Sequence, residues 1–256
     1  MAMPLRAAPP ATTVWIEARR DRHATTLLRN PKHSSPNPRF SFQRKRSNER
    51  SRSLPLVAAT SDSLGSKSAV TSEGLTSSLE GVDVFDITGK AIPITDLWKN
   101  RKAVVAFARH FGCVLCRKRA DLLASKKELM DAAGVALVLI GPGSTDQAKA
   151  FVQQTKFKGE VYADPSHSSF NALDFAYGVS TTFTPLAGMK IIQSYIEGYR
   201  QDWGLSLKKN TMSRGGWQQG GTLVAGPGVS NISYIHKDKE AGDDPDIEDV
   251  VKACCL

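Results

Sequence analysis

Two apolar segments with no charged residue, 103–108 and 135–140, most constrain what this chain can fold into. Such a segment has no polar face, so it must be covered on both sides, as a strand is in the interior of a parallel sheet. The first runs almost directly into Arg109-His110-Phe111-Gly112-Cys113-Val114-Leu115-Cys116. A helical pattern follows. Leu115, Leu122, Leu123, Leu129 and Met130 recur with charges between them, and Gly134 ends the run. Two cysteines three apart therefore stand where a buried strand hands over to a helix.

The surrounding chain reads as alternating strands and helices. Residues 82–87 alternate apolar and polar, Thr88-Gly89-Lys90 turns, and 91–94 form a second short strand whose Pro93 implies an edge. Residues 95–98 start a short helix. After 135–140, Gly141-Pro142-Gly143 turns, and Ser144 or Thr145 caps a helix with Ala148, Phe151 and Val152 inward. Gly159 stops it. Residues 160–163 form a strand, and Asp164-Pro165 opens a helix holding Phe170, Leu173 and Phe175. An excursion over 177–217 carries Ile192, Tyr195, Ile196 and Tyr199 at helical spacing, which predicts one helix inside it. A loop that long inside a compact domain is often functional; it is expected either to cover part of the cysteine face and shape substrate access, or to patch the sheet edge with its aromatics as core. Residues 221–225 form a central strand and 231–236 an antiparallel one. Asp243-Asp244-Pro245-Asp246 opens a last helix with Ile247, Val250 and Val251 inward. This order implies an α/β domain with a largely parallel sheet over 80–256.

Charge separates the N-terminal segment from the domain. The net charge is +9, and residues 1–58 hold twelve Lys/Arg against three Asp/Glu, 12 − 3 = +9. The remainder has 34 − 12 = 22 basic and 25 − 3 = 22 acidic residues and is neutral. A general basic surface for nucleic acid is thereby excluded from the domain. The segment is rich in Arg, Ser, Thr and Pro, nearly free of acids, and lacks the apolar core of a secretory signal. That is the pattern of an organellar transit peptide, and its Ser and Pro content favour a plastid, with the stroma as destination. Leu56-Val57-Ala58-Ala59 offers a processing site, and 59–79 is expected to be a flexible leader. The competing reading is a disordered tail with Arg44-Lys45-Arg46 as a nuclear or nucleic-acid signal. No apolar run reaches the ~20 residues of a membrane-spanning helix.

A thiol attacks only as thiolate, at an ordinary pKa of roughly 8.5. Helix N-terminal N–H groups favour the anion, and Arg109, His110, Arg117, Lys118 and Arg119 crowd the turn with cationic groups. In a CxxC turn opening a helix the first sulfur is usually the more exposed. Cys113 is therefore expected to attack a disulfide or peroxide, and Cys116 to resolve the product as an intramolecular disulfide. Two other readings stand beside this one. A CxxC is half of a zinc site, but the remaining cysteines, Cys254 and Cys255, are adjacent at the C-terminus. The pair could also be inert core thiols under a solvated basic helix. Cys254 and Cys255 are either a frayed tail or a mobile pair serving Cys113–Cys116, and His236 reads as a strand surface residue.

Taken together, residues 84–98, Val104-Val105-Ala106-Phe107 and the cysteine turn resemble the start of a peroxiredoxin or AhpC/TSA-type domain. Arg109-His110-Phe111, Gly141-Pro142-Gly143, Tyr162-Ala163-Asp164-Pro165 and Gln218-Gln219-Gly220-Gly221 narrow the resemblance. They point to the thioredoxin-like proteins with an AhpC/TSA antioxidant-enzyme domain, the peroxiredoxin-like branch, in a plastid-type member. The resemblance implies a thioredoxin-like fold, a central mixed sheet with helices on both faces. It implies catalysis by Cys113 and Cys116 supported by Arg109, His110 and Arg117, and no cofactor or metal. The partners would be a thioredoxin-type or other thiol donor and a disulfide or peroxide substrate. Ala106 and His110 stand where peroxiredoxins have Pro and Thr or Ser, seven and three residues before the attacking cysteine. The arginine those enzymes carry before a late central strand is replaced by Gln219 and Gly220, with Arg214 a few residues early. The alternative is a redox-sensing or partner-binding module whose thiols do not turn over.

Overall fold

The computed structural model describes residues 72–256. The expected transit segment and most of the expected leader lie outside the described residues.

Seven strands form one sheet in the order β2-β1-β5-β4-β3-β6-β7. They are β1 (Asp83–Asp86), β2 (Ala91–Pro93), β3 (Lys102–Phe107), β4 (Val135–Gly141), β5 (Glu160–Ala163), β6 (Gly221–Ala225) and β7 (Ile232–Lys237). Pro93 lies on the edge strand, where its missing N–H costs no ladder bond. β3 pairs in parallel with β4, and β4 with β5. All other pairs are antiparallel. The largely parallel sheet expected from the alternation thus holds only for β3, β4 and β5, which helices connect. The long excursion before β6 brings the chain back in the opposite direction, so the sheet is mixed.

β3 is central, and its alternate residues serve two cores. Val104 and Ala106 face a cluster with Leu115, Leu123, Phe151 and Val250. Those residues come from the helices α2 (Val114–Ser125), α4 (Thr145–Thr155) and α9 (Ile247–Cys255). Ala103, Val105 and Phe107 face a second cluster on the other side. Leu75 and Leu79 of α1 (Ser72–Leu79) and Phe170 of α5 (Ser168–Ala172) cover it. Helices therefore flank both faces. α1 departs from the expected flexible leader: its Leu75 and Leu79 bury against the sheet, and that burial holds the last part of the leader in place.

Two further expectations change. The helix after Cys113 breaks at Lys126 into α2 and α3 (Lys127–Ala132). Leu123 and Met130 are buried, whereas Leu122 and Leu129 face solvent. The excursion holds α6 (Pro185–Ile196), α7 (Trp203–Ser206), α8 (Lys209–Ser213) and a 3-10 turn at Gly215–Trp217, not one helix. Within α6, Ala187 and Ser194 are buried and Ile191, Tyr195 and the following Tyr199 pack on the core, while Ile192 and Ile196 point outward. The 3.6-residue spacing of apolar residues identified the helix but not its buried side, because α6 is apolar around most of its circumference.

Candidate active site

The cysteine turn is built at the sheet's centre. Ala108 still donates its N–H to the Ile140 carbonyl at 2.8 Å, so the chain leaves the sheet only at Arg109. It turns through Gly112 and enters α2 after Cys113, whose backbone is extended (φ −68, ψ 125). A Cβ on residue 112 would stand 2.6 Å from the Asp202 carbonyl oxygen, so only glycine lets the excursion lie this close. The Asp202 N–H donates to the Gly112 carbonyl at 3.0 Å. The Gln201 side chain accepts from the Val114 N–H at 2.8 Å, satisfying one of the open donors of α2.

Both thiols are buried, Cys113 at 2% and Cys116 at 5% exposure. The expectation of an exposed first sulfur is not met, because the excursion covers it. What separates the two is their surroundings. Cys113 lines a cavity of about 350 Å³ together with Arg109, His110, Phe183, Trp203 and Trp217, and Cys116 does not. The Cys116 thiol, hydrogen-bonded to the Cys113 sulfur, lowers the Cys113 pKa well below the ordinary thiol value, and the Arg109 charge adds to this against the cost of burial. Cys116 moves up, through the same bond to Cys113 and through its own burial.

Arg109 joins the site to the excursion. One guanidinium nitrogen lies 3.7 Å from the Cys113 sulfur. The others donate to the Gln218 carbonyl at 3.2 Å, Thr182 Oγ1 at 3.2 Å and the Gly216 carbonyl at 2.9 Å. Its backbone N–H donates to the Cys116 sulfur at 3.2 Å. Gln218 to Gly221 lead into β6, and at position 220 a Cβ would fall 1.9 Å from the Phe107 carbonyl oxygen. Arg214 instead donates to Asn171 and lines a different depression. The guanidinium beside the thiol thus comes from the cysteine turn and reaches across to the segment before β6.

Of the cationic cluster read from the sequence, Arg109 alone puts a guanidinium nitrogen against the Cys113 sulfur. Burial holds His110 neutral, with its pKa lowered to about 4, and its Nδ1 has no partner among the described residues. Arg117 pairs with Asp202 at 3.3 Å, and Lys118 with Glu197 at 2.7 Å. Arg119 is buried between Asp238, at 2.7 Å, and Asp244. The patterning showed the charges but not their partners, which lie over 75 residues away in the chain. Thr182 and Gln201 went unrecognised; no motif marks them.

Cys254 and Cys255 have sulfurs 3.2 Å apart. They lie near Leu129 and near Lys102 at the start of β3, whereas Cys113 follows the end of β3. Five residues of strand, roughly 17 Å, separate those ends. The two pairs therefore cannot close one tetrahedral zinc site. Nor does the tail pair reach Cys113. His236 bonds to the Asp243 carbonyl at 2.7 Å and does not line the Cys113 cavity.

The model of the AhpC/TSA antioxidant enzyme family matches residues 122–240, beginning downstream of both cysteines. The chain is similar to the chloroplastic thioredoxin-like protein AAED1 of Arabidopsis thaliana, 67% identical over 204 residues, which is 80% of this chain and 82% of that one. It is 29% identical over 181 residues to peroxiredoxin-like 2C of Homo sapiens, covering 70% of this chain and 79% of the relative. Peroxiredoxin Q of Xanthomonas campestris superposes with a TM-score of 0.47 at 9% identity, over 70% of this chain and 92% of that one.

Proposed function

The chain belongs to the AhpC/TSA family of thioredoxin-like proteins, and from that membership we propose that it is a plastid thiol oxidoreductase acting on disulfides or peroxides, with Cys113 as nucleophile and Cys116 as resolving thiol. The observation that carries this reading is the asymmetry of two equally buried sulfurs. Cys113 lines the cavity beside the Arg109 guanidinium, and Cys116 stands behind it, away from the cavity.

With a hydroperoxide, the Cys113 thiolate bonds to the terminal oxygen and the O–O bond breaks. The electron pair leaves on the alkoxide, which takes a proton from the medium, and Cys113 becomes a sulfenic acid. The Cys116 sulfur then attacks the Cys113 sulfur. Water leaves and the disulfide forms. An external dithiol, of the thioredoxin type or another thiol donor, reduces it by exchange. With a disulfide substrate, the first product is a mixed disulfide on Cys113. Arg109 holds the thiolate, while Arg117 fixes the turn through Asp202 and the Phe111 carbonyl. A plastid location is supported by the basic, acid-poor segment 1–58 and by the chloroplastic relative.

The test is turnover of the full chain with hydrogen peroxide, an alkyl hydroperoxide and a small disulfide, each with a thioredoxin-type dithiol. Cys113→Ser should abolish it, and Cys116→Ser should give one turnover and stop, trapping the sulfenic acid or mixed disulfide. A Cys113→Ser protein as active as wild type overturns the reading. A wild-type chain that oxidises once and is not re-reduced by any thiol donor would instead mark a redox-sensing module.

A further inference from the structure

The excursion carries an apolar surface far larger than its packing uses. On α6 the buried side is Ala187 and Ser194, and Ile191 and Tyr195 face the thiol cavity. At 100° per residue, Ile192, Ile196, Met189 and Leu186 continue the same apolar sweep outward from Ile191 and Tyr195. Ile192 is 63% exposed and Ile196 81%. The cavity's mouth is equally bare, with Phe183 at 71% and Trp203 at 63% exposure. A surface helix normally turns its apolar face inward and its polar face to water. Here only Ala187 and Ser194 are fully buried, and the large Met189, Ile192 and Ile196 stand in water. An apolar surface of this kind is one that meets something.

Charge names the partner. The stretch 183–217 holds Lys190, Arg200, Lys208, Lys209 and Arg214 against Glu197 and Asp202. Both acids are already matched by cations of α2, at 2.7 Å to Lys118 and 3.3 Å to Arg117. None of the five basic residues forms an ion pair among the described residues. The domain as a whole is neutral, so this positive excess is local to the excursion. Lys190, Arg200 and Arg214 donate to neutral oxygens, of Gly242, Tyr195 and Asn171, so no acid offsets them. Apolar and aromatic residues flanked by Lys and Arg without acidic partners is the composition of an interfacial membrane helix, where the apolar face enters the acyl boundary and the cations meet anionic headgroups.

We propose that α6 and the cavity mouth formed by Phe183 and Trp203 dock on an anionic lipid bilayer surface, so that the Cys113 cavity opens toward the membrane. Docking stands on the surface alone; the use of the opened cavity for lipid-borne substrates rests on the thiol chemistry proposed above. No helix of the described residues is long and apolar enough to cross a membrane, and the docking needs none.

Sedimentation of the full chain at physiological salt with phosphatidylcholine vesicles, with and without phosphatidylglycerol, tests it; the basic N-terminal segment is common to every variant, so differences between variants report the excursion. Wild type should pellet with the anionic vesicles. Ile192→Asp/Ile196→Asp should lower partitioning roughly tenfold or more, and Lys208→Glu/Lys209→Glu should weaken it only on anionic vesicles. Lipids brominated in the acyl chain should quench wild type more than Trp203→Phe. Circular dichroism of the isoleucine variant guards against unfolding, and its Cys113 alkylation rate without vesicles should equal wild type. Equal pelleting of the double isoleucine variant and wild type overturns the proposal. So does a soluble wild-type dimer that the same variant dissociates, which would assign the face to a second copy. Binding is read without turnover, so a loss of peroxide or disulfide activity leaves this result standing, and the reverse.

Discussion

Arg109 and His110 are neighbours in the chain, and both line the cavity, yet only one carries charge to the thiol. His110 is neutral down to about pH 4 because burial disfavours the imidazolium. Arg109 keeps its guanidinium 3.7 Å from the Cys113 sulfur. In a Cys116→Ala protein, where Cys113 alone of the pair can react, alkylation against pH should show one step. That step should carry no second inflection near neutrality from His110. The Arg109→Met change removes an attractive charge from the anion, so the Cys113 pKa rises and thiolate is lost at neutral pH. Once the raised pKa lies above the assay pH, each further unit costs about tenfold in alkylation rate, and rate recovered at alkaline pH separates lost charge from lost fold. The cysteines and Arg109 were legible because their spacing against the strand end is local. The neutralisation of His110 and Arg117 was not, since burial and a partner at Asp202 depend on where a distant excursion folds back.

At the scale of elements, the strands and α9 were readable from periodicity, and α1 was not. Its sequence, Ser72-Glu73-Gly74-Leu75-Thr76-Ser77-Ser78-Leu79, offers only two apolar residues in two turns, and a serine-rich run resembles a linker. Packing decides instead: Leu75 and Leu79 join the cluster of Phe170 and Leu173. Leu75→Ala and Leu79→Ala should each cost about 2 kcal/mol or more in urea denaturation of the full chain. Near-zero losses for both would make α1 an ornament on the domain. The same reasoning explains α2 and α3. Adjacent leucines at 122 and 123 point 100° apart, and only the register of the finished core selects Leu123 as the buried one.

Across the whole molecule, the excursion does two things at once. It fastens to the cysteine turn through Arg109, Gln201 and Asp202, and it presents an apolar, basic outer surface. Neither follows from the α/β order of the sequence, because both depend on which side of α6 faces in. The burial of Cys113 at 2% has a kinetic consequence. A small peroxide or alkylating agent can enter the cavity through the closed molecule. In the cycle proposed above, a protein dithiol reaches the Cys113–Cys116 disulfide only once the strap of Arg109, Thr182 and Gly216 releases. Re-reduction by a thioredoxin-type protein should therefore saturate: its rate rises with donor concentration and then levels at the rate of opening. Reduction by a small dithiol should stay linear over the same range. Thr182→Val, which removes one hydrogen bond from that strap, should raise the plateau measured by stopped-flow and leave the small-dithiol slope unchanged.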